Sequence, residues 1–106
     1  MVGNGLKLKK LPSAPSHLSS AAKKWWRAIV QDFDIDDGAG RLLLQSALEA
    51  FDRMKGAQVL LKSEGTVFRD RWGQTKPHPA VVIERDARSA MVTALRALNV
   101  DAAPGE

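Results

Sequence analysis

The chain has 106 residues, no cysteine and a formal net charge of +4 at neutral pH. Its length suits a single domain, and the lack of cysteine excludes disulfide frameworks, thiolate nucleophiles and cysteine-bound metals. No apolar run approaches the ~20 residues of a membrane helix, and no secretory signal is recognisable, so we expect a cytoplasmic protein without a membrane partner.

The N-terminal third of the chain is strongly basic. Glycine and proline in residues 1–18 predict a flexible arm. Residues 1–31 contain no Asp or Glu, whereas four aspartates follow between positions 32 and 37. Such a basic block is typical of a phosphate-binding surface, the alternative being a solvated arm and an ordinary helix exterior. The candidate DNA-binding residues here are Lys7, Lys9, Lys10, Lys23, Lys24 and Arg27.

The first helix is predicted over about residues 19–34. Ser19 or Ser20 can cap its N-terminus, and apolar side chains then recur at the spacing of one helical face. A turn at residues 34–38 follows, because short polar side chains and glycine favour turns. The apolar face comprises Ala22, Trp25, Trp26, Ile29, Val30 and Phe33.

A second, longer helix is predicted over about residues 39–64, and Gly65 supplies its stop. Gly40 and Gly56 each cost roughly 1 kcal/mol relative to alanine, so we expect frayed ends or close helix packing at these points. The mostly apolar stripe comprises Leu44, Ala47, Leu48, Phe51, Met54, Gln58 and Leu61.

A short extended or hairpin insert is predicted over about residues 66–76, because the helical period disappears there and strand-forming residues precede a turn. Pro79 then opens a third helix over about 79–98, with Asn99 as a left-handed stop. The fold class is therefore mainly α, with a helical domain at 19–99 and a loose tail at 100–106. The apolar face of the last helix comprises Ile83, Ala87, Ala90, Met91, Ala94, Leu95 and Leu98.

Two aromatic residues of the insert, Phe68 and Trp72, add apolar area beyond what three short helices bury. We expect them to form an interface with another copy of the chain. Arg69, Arg71 and Lys76 on the same insert make it a second candidate DNA-binding surface.

The sequence offers no catalytic constellation. The only histidines, His17 and His78, both precede helix starts, so loop or cap roles are expected. The aspartates at 32–37 do not match a calcium loop, because position 6 falls on Asp37 and position 12 on Leu43 instead of Gly and Glu. We therefore expect no enzyme activity, no metal site and no cofactor.

Several motifs, in order along the chain, resemble a family of phage terminase small subunits. They are Pro15-Ser16-His17-Leu18 with Ala22-Lys23-Lys24-Trp25-Trp26-Arg27-Ala28-Ile29; Leu42-Leu43-Leu44 and Ala50-Phe51-Asp52-Arg53; Leu61 with Glu64-Gly65; Gly73 and Lys76-Pro77-His78-Pro79-Ala80; and Arg85, Ala87, Met91 and Leu95-Arg96-Ala97-Leu98. The similarity covers about residues 12–100.

The resemblance implies a ring-shaped, all-α homo-oligomer in the host cytoplasm. Such a protein recognises double-stranded viral DNA and presents it to the terminase large subunit, which contains the ATPase and nuclease, during DNA packaging of a bacteriophage or prophage. Two alternatives share the size and charge: a small helical DNA-binding regulator, which usually forms a dimer, and an adaptor that binds only protein.

Overall fold

The structure, a computed structural model, describes residues 11–100 and is mainly helical with one small hairpin, as predicted. Each helix boundary lies within one residue of its predicted position. Within the described range, no helix is both long and apolar enough to cross a membrane. The elements are α1 (Ser20–Phe33), α2 (Gly38–Glu64), β1 (Val67–Arg69), β2 (Thr75–Pro77) and α3 (Pro79–Ala97).

The main core lies where α1 crosses the N-terminal half of α2. Ser19 caps α1, because its side-chain oxygen accepts a hydrogen bond from the Ala22 backbone N–H at 3.0 Å. Trp26 is only 2% exposed, whereas Trp25 is 54% exposed, since adjacent helical residues point about 100° apart. Of the two tryptophans on the predicted apolar face, Trp26 therefore lies in the core and Trp25 does not. The buried core residues are Leu18, Ala22, Trp26, Val30, Ile35, Leu44 and Leu48.

A second seam joins α2 to α3, which pack antiparallel along the rest of their length. Small alanine side chains permit close packing of two helices, and the buried alanines of α3 recur every seven residues. The predicted apolar face of α3 was wrong for Ile83 and Ala90. Both residues are exposed, because α3 turns other residues toward α2. The buried residues are Ala50, Met54 and Ala57 on α2 and Ala80, Ala87 and Ala94 on α3.

One polar contact bridges this seam. Gln58 Nε2 donates to Glu84 Oε2 at 3.0 Å, and Arg88 contacts the same oxygen from the next turn of α3. The hydrogen bonds from Gln58 and then Arg88 lower the pKa of Glu84 below its ordinary value. Gln58 was predicted as part of an apolar stripe and instead serves as a half-buried donor.

The chain should lose stability in acid partly through Glu84. Because its pKa is lower in the folded chain, its contribution is present above the unfolded pKa and is lost as pH falls through the folded pKa, in a window below roughly pH 5. Denaturant unfolding between pH 7 and pH 3 should therefore show a shallower acid loss for Glu84→Gln than for the unaltered chain. Parallel pH profiles would contradict this assignment.

The segment at residues 11–18 packs against α1 and α2, which corrects the part of the predicted flexible arm that the structure describes. The Trp26 indole N–H donates to the Pro12 carbonyl at 2.9 Å, and Leu18 is buried. Asp52 of α2 accepts hydrogen bonds from both the backbone N–H and the hydroxyl of Ser19, at 2.9 and 2.5 Å. Residues 1–10 and 101–106 lie outside the described residues.

The C-terminus of α3 confirms Asn99 as its left-handed stop. Asn99 has φ 62°, and its N–H donates to the Arg96 carbonyl at 2.9 Å. The Val100 N–H donates to the Leu95 carbonyl at 3.2 Å, which together with the first bond forms a Schellman motif. This motif turns Val100 back toward the helices, so the predicted loose tail does not begin at residue 100.

Two glycines of α2 should respond oppositely to alanine. A Cβ on Gly40 would lie 2.6 Å from Asp37 Oδ1, which caps the helix, and 3.0 Å from Ile35 Cγ2. A Cβ on Gly56 would meet no atom within 4 Å. Gly40→Ala should therefore lower the free energy of unfolding by roughly 1 to 3 kcal/mol, whereas Gly56→Ala should raise it by roughly 1 kcal/mol. Denaturant unfolding checks both, and equal shifts would contradict the close packing at Gly40.

Candidate nucleic-acid and self-association surfaces

Three predicted phosphate contacts, Lys23, Lys24 and Arg27, lie together on α1. Lys24 and Arg27 are exposed and Lys23 is half-buried. No other residue within 11–100 forms an ion pair with any of them. Their charges are therefore not neutralised by that part of the chain. The other predicted N-terminal contacts, Lys7, Lys9 and Lys10, lie outside the described residues.

Lys23 and Arg27 border a groove of about 500 Å³ between α1 and the N-terminal segment. Their spacing of four residues places them on one side of the helix. Ser13 and Ser16 from the packed segment also line this groove, together with Gln31. Cationic and neutral hydrogen-bond donors therefore line the same groove. Such a lining suits the phosphate backbone of a nucleic acid.

The second predicted surface, on the hairpin, is built differently, because each of its cations has a local contact. Arg69 donates to the Gly73 carbonyl at 2.9 Å, and Lys76 Nζ lies 3.7 Å from an Asp70 carboxylate oxygen. The Arg71 guanidinium lies 4.9 Å from the centre of the Trp72 ring. Arg69 and Lys76 thus hold the hairpin in shape, which leaves Arg71 as its most available cation.

The two surfaces lie at opposite ends of the molecule. α1 packs on α2 near Leu44 and Leu48, whereas the hairpin follows Glu64. At 1.5 Å per helical residue, the stretch from Leu48 to Glu64 spans about 24 Å. The structure therefore does not bring the two predicted basic surfaces together.

Asp70 organises the tip of the hairpin. Its Oδ1 accepts hydrogen bonds from the backbone N–H groups of Trp72 and Gln74, both at 2.9 Å. The Asp70 N–H donates to the Gln74 carbonyl at 2.9 Å, so residues 71–73 close the hairpin, and Gly73 has the positive φ, 78°, expected at the end of such a loop. The short strands alone would be marginal, so these side-chain contacts hold the tip in place.

The predicted interface residues Phe68 and Trp72 are both exposed, at 42% and 74%. Neither belongs to the core between the helices. Other apolar side chains near this end of the molecule are also exposed, and they lie on α2, on β1 and at the start of α3. They are Val59, Leu60, Val67, Val82 and Ile83.

The two histidines have structural contacts. His78 caps α3, since its Nδ1 accepts from the Ala80 N–H at 3.0 Å while its Nε2 lies 2.7 Å from Glu64 Oε1. This pattern requires the neutral tautomer with hydrogen on Nε2. His17 Nε2 lies 2.6 Å from Glu49, and hydrogen bonds from Gln45 and then His17 lower the pKa of that glutamate. Within residues 11–100, no three His, Cys, Asp or Glu side chains gather as metal ligands.

Loss of the His78 cap should be measurable. His78→Ala should lower the free energy of unfolding by about 1 kcal/mol, because the Ala80 N–H loses its acceptor. His78→Asn, which restores a cap acceptor, should recover most of that loss. Thermal or denaturant unfolding compares the two variants. An equally unstable asparagine variant would show that the contact with Glu64, and not the cap, accounts for the effect.

An apolar groove of about 400 Å³ lies between α1 and α3 on the surface of α2. Among its described lining side chains, Asp32 alone is charged. This groove could not be predicted from the sequence, because its lining comes from residues on three helices that are far apart in the chain. Its largest lining side chains include Trp25, Ile29, Phe33, Phe51, Met91 and Leu95.

The basic surface on α1, the hairpin surface and the apolar groove between α1 and α3 are the candidate functional features among the described residues. Comparisons of the chain with models of protein families, with curated proteins and with solved structures each found no match.

Proposed function

We propose that this protein is a non-catalytic DNA-packaging subunit of the phage terminase small-subunit type. It forms a closed homo-oligomer, binds double-stranded viral DNA and presents that DNA to the large subunit, which contains the ATPase and nuclease. The sequence motifs between about residues 12 and 100 that resemble this family support the proposal. The observation that carries it is that α1 has cations that form no ion pair within residues 11–100, while exposed apolar side chains lie at the opposite end of the molecule.

The DNA-binding part of the proposal follows from charge. Duplex DNA has one negative charge per about 1.7 Å of its axis, and cations that neutralise phosphates release bound counterions. Lys23, Lys24 and Arg27 lie within two turns of one rigid helix, so they can contact neighbouring phosphates without ordering a loop. Contacts of this kind position a protein on DNA without reading its bases.

The self-association part follows from exposed apolar area. Phe68 and Trp72 are held outward by an ordered hairpin, near other exposed aliphatic side chains. Large apolar side chains that are exposed together at one end of a molecule are candidates for burial in an interface. Burial of these side chains against further copies would enlarge the apolar core. Within one copy, the buried residues of α3 are all alanines.

The test is the native mass of the protein with and without duplex DNA carrying the packaging start site of its phage. A closed assembly of many subunits that binds the duplex is the expected result. If all six N-terminal cations contact phosphates, the logarithm of affinity should fall with the logarithm of salt at a slope of about −5. A dimer that binds DNA would favour the regulator, and a chain that does not bind DNA would favour the adaptor.

A further inference from the structure

We propose that Trp72 of one copy docks into the apolar groove between α1 and α3 of the next copy. This inference rests on the self-association in the proposed function and names the contact that would produce it. It follows from the shape of the hairpin tip, the lining of the groove, the charges on each and the distance between them.

The tip is a preformed projection. Trp72 is 74% exposed, and the Asp70 carboxylate fixes the backbone on both sides of Gly73. An aromatic side chain can bury about 150 to 250 Å² on association. Little conformational entropy is lost when its backbone is already ordered. The indole is therefore suited to serve as an anchor.

The groove is suited to receive such an anchor. Its volume of about 400 Å³ accommodates a large side chain, and its walls include Phe33, Phe51 and Met91. Trp25, at its edge, is 54% exposed. Aromatic rings and thioethers make favourable contacts with an indole beyond simple burial.

The charges of the two surfaces are complementary. Arg71 lies over the Trp72 ring and has no acidic partner among residues 11–100. Asp32, the charged side chain of the groove, forms no ion pair with another residue of that range. Docking of Trp72 into the groove would bring Arg71 toward Asp32, and this match favours a second copy as the occupant.

Trp72 is not docked within its own copy, because it is 74% exposed. The groove reaches Met54 on α2, and the hairpin begins beyond Glu64, so at least about 15 Å of straight helix separates them. The tip and the groove are different surfaces, so their contact is heterologous. Repetition of a heterologous contact produces a ring if the rotation closes.

Complementation between two defective variants tests this contact. Trp72→Ala removes the anchor but keeps the groove, whereas Ala28→Arg, at an exposed position lining the groove, obstructs the groove but keeps the anchor. Sedimentation of the full chain should show that each variant alone is monomeric. An equimolar mixture should form a dimer, because one intact anchor then meets one intact groove. Circular dichroism checks that both variants remain helical.

A charge exchange provides a second measurement. Asp32→Arg and Arg71→Asp should each weaken assembly by roughly three- to tenfold, because an exposed ion pair contributes modestly and its reversal makes the pair repulsive, and a chain with both substitutions should recover most of the assembly. Assembly that persists in both Trp72→Ala and Ala28→Arg, or a mixture that stays monomeric, would overturn the proposed contact. If the unaltered chain is monomeric, the self-association in the proposed function fails as well, whereas DNA titration tests its other part separately.

Discussion

Trp26→Ala is expected to lower the free energy of unfolding by about 3 to 5 kcal/mol, which is a large part of the total stability of a small domain. Trp26 is 2% exposed and packs in the core between α1 and α2. Its indole also donates the hydrogen bond to the Pro12 carbonyl. The substitution therefore leaves a cavity and detaches the N-terminal segment from α1.

The adjacent Trp25 provides the matched control. It is the same residue type on the same helix, but 54% exposed. In the dissociated chain, Trp25→Ala should change the free energy of unfolding by less than about 1 kcal/mol, within the usual range for a surface substitution. Denaturant unfolding of both variants measures the difference. Comparable losses would mean that α1 is rotated about its axis relative to the structure described here.

The combined replacement of Lys23, Lys24 and Arg27 by alanine is expected to weaken duplex binding by roughly 10- to 100-fold, if each exposed phosphate contact contributes about 0.5 to 1 kcal/mol. The slope of the logarithm of affinity against the logarithm of salt concentration should become shallower by about 2.7, since each phosphate contact contributes about 0.9 to this slope. The loss should be equal for specific and unrelated duplexes, because phosphate contacts carry no sequence information.

A variant with the same net charge separates local contacts from overall attraction. Lys55 and Lys62 on α2 and Arg96 on α3 are exposed cations that lie outside α1. Their combined replacement by alanine removes the same charge, yet the salt slope should remain close to that of the unaltered chain. Fluorescence anisotropy over a range of salt concentrations measures both variants. Equal losses would assign binding to net charge and exclude α1 as the specific interface.

The helices could be predicted almost to the residue because their signals are local. Ser19 caps α1, Pro79 opens α3, and Asn99 ends α3 with the positive φ expected of it. Each of these effects involves residues within one or two turns of each other, so the sequence itself displays them. The insert was predicted as either an extended segment or a hairpin, and the structure shows the hairpin, with Gly73 where a positive φ is required.

The buried faces were harder to predict than the helices. An apolar residue at helical spacing can face a neighbouring helix or solvent, and Trp25 and Ile83 are largely exposed despite their spacing. The alanines at 80, 87 and 94 are the buried residues of α3. Ala87 and Ala94 belong to the predicted apolar face, but Ala80 does not, because alanine is only weakly apolar. For Gly40, the sequence predicted either a frayed helix end or close packing, and the structure shows close packing.

The sequence by itself determined the helices, their caps, the hairpin and the position of the basic residues along the chain, because these depend on neighbouring residues. Only the tertiary structure decided that Lys23 and Arg27 border one groove, that the hairpin cations have local partners, and that an apolar groove lies between α1 and α3. These features depend on how each helix is rotated about its axis and which distant residues it meets. Local sequence patterns do not specify that rotation, since several faces of a short helix have similar apolar content.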